Sequence, residues 1–168
     1  MLLSCGDALI DFLPVKSVDG RDALVPVVGG SCLNIAVGMA RLGLPAGFVG
    51  GISTDLFGRM IADHAAASDV DLRYATRSEH QSTLAFVRSV AGESQYAFYD
   101  AETASRNWLY RSGSIPFSEI DAIHVGSTTL VEDDPPLHQH RVTATHLEPA
   151  RVFGSGRLSP QRCPATGR

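Results

Sequence analysis

The stretch VPVVGGSCLNIAVGMARLG, residues 25–43, decides the fold of this chain. Gly29 and Gly30 end an apolar, strand-like run and lead directly into a helical pattern that carries Asn34. Glycine adopts positive φ without strain and has no Cβ, so another group can lie close against such a turn. The pattern predicts a strand, a close-approach turn and a helix, and we expect a bound molecule to lie against the turn.

The residues after the two glycines predict an amphipathic helix. Ser31 has the side chain of an N-cap residue. Gly43, followed closely by Pro45, predicts the end of the helix. The predicted buried face consists of Ile35, Met39 and Leu42, at the spacing i, i+4 and i+7.

Length and composition fit one globular domain with a real core. The chain has 168 residues, of which 44% are hydrophobic and 19% are charged. The net charge of −4 argues against a nucleic-acid partner. No apolar run approaches the roughly 20 residues of a membrane span, so we expect no membrane partner. The N-terminal residues lack a basic segment and contain Asp7 and Asp11, so we expect no signal peptide.

The three cysteines, Cys5, Cys32 and Cys163, match no metal-binding spacing, and their odd number argues against a disulfide framework. Cys5 and Cys32 lie in apolar surroundings and are expected to be buried thiols. A reducing, cytoplasmic location fits this usage.

Strand-like and helical segments alternate, which predicts an α/β fold with a parallel sheet. The predicted helix STDLFGRMIADHAAAS is capped by Ser53 or Thr54. Its expected packed face is Leu56, Met60 and Ala67, widened by Phe57 and Ile61. The predicted strands are LLSCGDALIDFL, DALVPVV, AGFVGGIS, VDLRYA and IDAIHVGSTTLV. Two alternating segments, STLAFVRSV and SQYAFYD, flank turn residues 91–94 and predict a hairpin, which with DALVPVV would form a small extra sheet.

The composition changes abruptly near residue 133. Residues 1–133 carry a net charge of −7, whereas residues 134–168 carry +3 and hold five of the nine prolines. The second segment has no sustained helical or strand period, and we expect it to be disordered or poorly packed. One hypothesis is a frameshift near Asp133, because a GC-rich gene read out of frame gives this composition; the alternative is a natural basic tail.

The motif GGSCLNIAVGMARLG resembles the N-terminal signature of the PfkB, or ribokinase-like, carbohydrate kinases. The flanking GDALIDFLP and GFVGGISTDLFGRMIADHAAASDVDL are similar to the fructokinase and 2-keto-3-deoxygluconate kinase branch in order and spacing. The resemblance runs from about Leu3 to about Val131. It implies an incomplete, doubly wound α/β sheet over residues 1–133. A small β-sheet lid would span about 13–28 and 82–100. Past Asp133 there is no resemblance, and residues 134–168 are the disordered or frameshifted tail that the composition predicts.

The resemblance also implies a sugar site. Asp11 matches the carboxylate that accepts hydrogen bonds from sugar hydroxyls, and Asn34 matches the amide that donates to the sugar. Gly29 and Gly30 match the pair whose backbone lies against the sugar. Taken alone, Asp11 could be a turn or capping residue and Asn34 a solvated residue of the first helical turn.

Three further residues are predicted to line the sugar pocket. Phe86 and Phe98 lie on the hairpin strands, where the lid of the family places apolar rings over the sugar, although both could instead pack beneath the hairpin. Ser127 is the last residue of the segment IHVGS, at the end of a predicted strand, and is predicted to line the far side. The turn residues Asp55 and Gly58 are interpreted as a helix start rather than as ligands.

ATP and Mg²⁺ are the cofactors that the resemblance implies, but their binding residues and the GAGD catalytic aspartate lie later in the family's chains. The nearest match here is GSGR, where Arg157 stands in the place of that aspartate and cannot act as a base. We therefore predict no catalytic residue and no metal ligand in this chain.

Two hypotheses for function stay open. The chain is an ATP-dependent, fructokinase-like sugar kinase by descent that holds the sugar half of its site and is inactive alone. Alternatively, it is a non-catalytic sugar-binding module, or an association module that forms a homodimer through the lid. A dinucleotide-binding fold is disfavoured, because GGSCLN lacks the GxGxxG spacing.

Overall fold

A computed structural model describes residues 1–90, 93–109, 113–126 and 151–155, the last five, with Ser89 and Val90, by backbone only. The helices in this part of the chain are α1 (Ser31–Arg41), α2 (Leu56–Ala66) and a short 3₁₀ helix (Phe117–Glu119). The strands are β1 (Leu2–Cys5), β2 (Leu9–Lys16), β3 (Asp22–Gly29), β4 (Ala46–Val49), β5 (Gly51–Ser53), β6 (Thr76–Ser78), β7 (Thr83–Val90), β8 (Glu93–Tyr99), β9 (Ala122–Gly126) and β10 (Arg151–Ser155).

The central sheet is parallel and has the order β10-β9-β1-β4. Leu3 of β1 and Phe48 of β4 are fully buried, as expected for strands covered on both faces. This sheet confirms the predicted α/β class. It also places Arg151–Ser155 in a strand, so the expectation of a disordered segment fails for these five residues. The rest of residues 134–168 lies outside the described residues, and the frameshift stays a hypothesis.

The predicted lid is a second sheet with the order β3-β2-β7-β8. β2 pairs antiparallel with β3 and parallel with β7, and β7 forms an antiparallel hairpin with β8. The small lid sheet of the predicted fold class is therefore present. The tip of the hairpin, residues 91–92, lies outside the described residues.

Several predicted strands are divided or displaced. The run LLSCGDALIDFL forms two strands, because the chain leaves the central sheet after Cys5 and enters the lid at Leu9. AGFVGGIS also forms two strands, β4 and β5, separated at Gly50. VDLRYA is not a strand: within it, Asp71 makes one isolated bridge to Gly47. The strand in this region is β6, just after this segment, and it pairs with β5.

The buried face of α1 differs from the predicted face, and that of α2 agrees with it only in part. In α1 the buried residues are Cys32, Leu33, Ala36 and Val37, whereas Leu42 is 81% exposed. In α2 the fully buried residues are Gly58, Ile61 and Ala65. Ile61 belongs to the predicted face, and Phe57 and Met60 of that face pack partly buried against the core, whereas Leu56 is exposed. The errors arise because a short helix with many apolar residues carries two candidate stripes, and only tertiary packing selects between them.

Two apolar clusters hold the described fold together. The first joins the helices to the sheets and includes Ile10, Leu33, Phe48 and Ile61. The second lies on the other side of β1, where Leu3, Val49, Trp108 and Ile123 pack together with neighbouring residues. Burial of each such side chain contributes about 1.5–3 kcal/mol. Within the described part of the chain, no helix is long and apolar enough to cross a membrane.

Candidate functional site

A cavity of about 320 Å³ lies between the lid sheet and the N-terminus of α1. The lid supplies one wall, the first turn of α1 a second, and the loop after β8 a third. The lining residues are Asp7, Leu9, Asp11, Gly30, Ser31, Asn34, Thr83, Tyr96, Phe98, Asp100, Ser105 and Arg106. Asp11, Gly30, Asn34 and Phe98 of the predicted site therefore come together here.

The two glycines of the turn make room for two aspartates. A Cβ on Gly29 would lie 2.2 Å from Oδ2 of Asp11. Gly30 has a φ of +102°, and a Cβ there would lie 2.7 Å from the carbonyl oxygen of Asp7. A side chain at either position would displace one of these aspartates. The groups that lie closest against this turn are therefore Asp7 and Asp11 of the chain itself.

Asp7 caps α1 from outside the helix. Its Oδ2 accepts a hydrogen bond from the backbone N–H of Ser31, and its Oδ1 accepts from the N–H of Cys32, each at 3.2 Å. The backbone N–H of Leu33 donates to the carbonyl oxygen of Asp7. The predicted cap, Ser31, is wrong: Gly30 occupies the N-cap position, and the Ser31 hydroxyl donates to Asp7. Sequence reasoning missed Asp7 because its partners lie 24 and 25 residues away.

Asp11 keeps its carboxylate available to the cavity. Asp11 lies on β2 opposite Val27, and its carboxylate has no hydrogen bond or ion pair from any described residue. Partial burial, and then the negative charge of Asp7, raise the pKa of Asp11 above its ordinary value. A hydroxyl donor in the cavity would relieve this cost, because it would replace the lost hydration of the carboxylate.

Asn34 lies in the first turn of α1, and its exposed side chain lines the cavity. Its backbone N–H closes the first helical turn on the carbonyl oxygen of Gly30, so the helix fixes its position relative to the glycine turn. A side-chain amide offers both donors and an acceptor. Asp11 and Asn34 therefore present complementary polar groups to one space.

The two predicted phenylalanines have different surroundings. Phe98 lines the cavity and stacks on Tyr96, with 5.8 Å between ring centroids. Phe86 is not among the lining residues: it stacks on Phe12 at 4.7 Å, on the opposite face of the lid sheet. Alternation along a strand explains the difference, because Phe98 pairs with Ala85 rather than with Phe86. Ser127 lies outside the described residues.

The loop after β8 supplies the wall that sequence reasoning missed. Arg106 forms an ion pair with Asp100, with its Nε 3.0 Å from Oδ2. Ser105 is buried, and its hydroxyl accepts a hydrogen bond from the N–H of Ala8. The only sequence signal was a cluster of small polar residues directly after a lid strand. The contacts that place them, such as Thr83 with Thr103 at 2.7 Å, join distant parts of the chain.

Asp55 is the N-cap of α2, in place of the predicted Ser53 or Thr54, and its Oδ1 accepts a hydrogen bond from the N–H of Gly58 at 2.7 Å. This agrees with its interpretation as a helix-start residue.

The predicted burial of Cys5 and Cys32 is confirmed, and both are free thiols. Burial raises the pKa of each thiol to about 12, so neither is a reactive thiolate.

A parallel sheet with a lid sheet closing over a polar cavity, beside a Gly-Gly turn and a helix N-terminus, defines the ribokinase-like fold. The sequence profile of the pfkB family carbohydrate kinases matches residues 1–145. The chain belongs to this family, as the resemblance predicted. The match extends past residue 133, where the resemblance read from the sequence ended.

Similar proteins are named as fructokinases. The fructokinase of Rhizobium leguminosarum bv. trifolii is 37% identical over 133 residues, which cover 78% of this chain and 40% of that protein. Probable fructokinase-7 of Arabidopsis thaliana is 31% identical over 163 residues, covering 92% and 46%. The solved structure of a Xylella fastidiosa fructokinase with bound ATP gives a TM-score of 0.78 at 26% identity, covering 99% of this chain and 52% of that one. The chain thus spans about half the length of the relatives that it matches.

Proposed function

We propose that this chain carries the sugar-binding half of an ATP-dependent sugar kinase and binds a neutral hexose such as fructose. The observation that carries the proposal is the placement of Asp11. Its carboxylate lies at the Gly29–Gly30 turn, lines the cavity and has no partner among the described residues. Asn34 lines the same cavity from α1.

These groups suit a polyol. The Asp11 carboxylate can accept from two hydroxyls, and the Asn34 amide can donate to one hydroxyl and accept from another. Hydrogen bonds to a charged acceptor are short and strong in a site shielded from water. Phe98 and Tyr96 offer apolar rings to the C–H face of a sugar.

The charges around the cavity favour a neutral sugar over a sugar acid. Three carboxylates line it, from Asp7, Asp11 and Asp100, against one guanidinium, that of Arg106. Arg106 is already paired with Asp100, and Asp7 is engaged by α1. A carboxylate on the ligand would meet the negative charge of Asp11, which supports fructose over 2-keto-3-deoxygluconate. The names of the similar proteins point the same way.

ATP and Mg²⁺ belong to the proposed reaction of the whole enzyme. Among the described residues, no group of three or more His, Cys, Asp or Glu side chains is placed to hold a metal ion. The described residues do not fit a Mg²⁺–nucleotide site, and no phosphoryl-transfer step can be derived from them. We propose that the base and the nucleotide site belong to the part of the relatives that this chain does not span.

Location and assembly are further parts of the proposal. The free thiols of Cys5 and Cys32 support a reducing cytoplasm. The lid presents exposed apolar side chains on the strand face that carries Asp11: Leu13, Val15, Val25 and Val27. We propose that a second copy of the chain covers this face, because a contiguous apolar patch is a typical interaction surface.

Fructose binding by the purified chain tests the proposal. Isothermal titration calorimetry should show binding to the wild type, and Asp11→Ala should weaken it by about 10- to 150-fold, the equivalent of one hydrogen bond to a charged group. Asp63→Ala, on the exposed side of α2, is the matched control and should bind as the wild type does. Equal affinity in Asp11→Ala would remove Asp11 from the site.

The same samples separate the kinase from the non-catalytic sugar-binding module. Coupled ADP release with fructose, ribose and 2-keto-3-deoxygluconate should show no sugar-dependent turnover by this chain. Fructose-stimulated turnover that Asp11→Ala abolishes would contradict that expectation and would place a nucleotide site within these 168 residues. Sugar-dependent turnover that appears once the chain is extended by the part of the relatives that it does not span would favour the kinase over the non-catalytic module.

A further inference from the structure

Three segments of the chain meet at the carboxylate of Asp55. Asp55 lies two residues after the end of β5, and its N–H donates to the hydroxyl of Ser53, the last residue of that strand. Its Oδ1 accepts from the N–H of Gly58 in α2 at 2.7 Å and from the hydroxyl of Ser82 at 2.7 Å. Its Oδ2 accepts from the backbone N–H of Ser82 at 2.8 Å. Ser82 is the residue before lid strand β7.

Capping α2 accounts for only one of these contacts. An N-cap side chain needs one oxygen for one N–H of the first turn, which is the bond from Gly58. Both bonds from Ser82 are additional, and they join residues 27 positions apart. Partial burial raises the pKa of Asp55, but hydrogen bonds from Gly58, Ser82 and Ser53 outweigh it, and the pKa lies below its ordinary value. The carboxylate is therefore ionised near neutral pH, when its bonds are strongest.

Ser82 is where the chain enters the lid. Residues 79–81 before it form no helix or strand, and Ser82 itself is buried. The next residue, Thr83, pairs with Leu9 in β2 and lines the cavity. Whatever fixes Ser82 also fixes the start of β7 over the cavity.

We propose that Asp55 is a positioning residue that latches the lid to the body of the protein by holding Ser82. The inference rests on the proposed sugar site, because its consequence for binding requires that the cavity bind a sugar. Asp55 does not line the cavity. It acts on the sugar through the placement of Thr83 and of the lid strands that carry Asp11 and Phe98.

The substitution Asp55→Asn separates the latch from the helix cap. Asparagine is an equally good N-cap residue, so its single oxygen can still accept from Gly58. Its NH₂ group then replaces Oδ2 and meets the N–H of Ser82, donor against donor. A second variant, Ser82→Ala, removes one latch bond and leaves the cap untouched. Asp63→Asn, exposed on α2, is the matched control.

Hydrogen–deuterium exchange and fructose titration provide the two measurements. In Asp55→Asn, we expect the amides of β7 and β8 to exchange at least 10-fold faster while the amides of α2 stay unchanged. Fructose affinity should fall about 10-fold. Ser82→Ala should change both readouts in the same direction by less, and the control should change neither.

Two outcomes of the exchange measurement overturn the latch. Faster exchange in α2 with an unchanged lid would show that Asp55 only caps the helix. Unchanged exchange in both segments would show that the Ser82 bonds hold nothing in place. If Asp55→Asn does not fold, Ser82→Ala alone decides by the same comparison. If the wild type binds no fructose, the proposed function fails, whereas the exchange measurement still tests the latch.

Discussion

Replacement of Gly29 by alanine tests the central feature of the site with a single methyl group. The φ of Gly29 is not in the left-handed region, so alanine fits the backbone there. The added Cβ would lie 2.2 Å from Oδ2 of Asp11, whereas ordinary contact begins near 3.4 Å. The Asp11 carboxylate must therefore move by roughly 1 Å, which is enough to break a well-formed hydrogen bond.

The expected effect is on binding much more than on stability. Loss of one hydrogen bond from a sugar hydroxyl to a carboxylate costs about 1.5–3 kcal/mol, which raises the Kd for fructose about 10- to 150-fold. The displaced Asp11 side chain adds a rotamer cost of about 1 kcal/mol to the folded state. Isothermal titration calorimetry and urea unfolding measure the two quantities on the same preparations.

Gly38→Ala is the matched control. Gly38 is exposed on α1, and apart from its chain neighbours and the backbone of its own helix no heavy atom lies within 4 Å of a Cβ built there. Alanine should stabilise the helix by about 0.5–1 kcal/mol and leave fructose binding unchanged. The double variant Gly29→Ala/Asp11→Ala should bind no more weakly than Asp11→Ala alone, because both changes remove one interaction. Wild-type affinity in Gly29→Ala, or full additivity in the double variant, would refute the reasoning.

The described contacts lead to four further predictions, on pH dependence, stability and assembly. Because burial and then Asp7 raise the pKa of Asp11, fructose affinity should decline on acidification at a pH above 3.8, the ordinary value for this carboxyl, and Asp11→Asn should abolish that dependence. For stability the pH dependence has the opposite sign, because the raised pKa means that ionisation of Asp11 destabilises the folded state. The contribution of Asp11 to stability is present below its unfolded-state pKa and is lost as pH rises through its folded-state pKa. Asp11→Asn should therefore raise the Tm at pH 7. Asp7→Ala removes the cap of α1 and should lower the free energy of unfolding by about 2 kcal/mol in urea titrations; an unchanged midpoint would contradict the cap. If a second copy covers the Asp11 face of the lid, light scattering should find a dimer that Val25→Asp dissociates, whereas Leu24→Asp, on the opposite face of β3, should leave it intact; equal behaviour of the two variants would argue against that face.

The sequence predicts those parts of the site that local pattern encodes. Gly29, Gly30 and Asn34 lie within six residues of one another, and the spacing of the residues around them predicts the turn and the helix. Asp11 enters through the family resemblance, and the alternation of β2 and β8 places Asp11 and Phe98 on the cavity face. Phe86 is one residue out of phase with that alternation, which is why it packs on Phe12 instead.

The remainder of the site depends on contacts that no local pattern carries. Asp100 and Arg106 lie in one short loop, but nothing in the sequence shows that they pair or that their loop folds back against the residues after β1. The cap of α1 by Asp7 also depends on a contact between distant residues, whereas the local sequence predicts the serine at the start of the helix as the cap. The buried face of α1 could be chosen only once the sheet beneath it was known.

Asp7 and Asp11 show how one turn gives the same residue type two roles. Both carboxylates lie beside the glycine pair, and each glycine is fitted to one of them: Gly30 to the backbone of Asp7, and Gly29 to the side chain of Asp11. Asp7 is buried, and the first N–H groups of α1 engage its carboxylate, which compensates for its lost hydration. Asp11 receives no such compensation from the described residues, and the charge of Asp7 adds to its cost. The Asp7 carboxylate fixes the helix, and its charge raises the cost of an ionised Asp11 that has no hydrogen-bond donor. Under the proposed function, a sugar hydroxyl in the cavity is that donor.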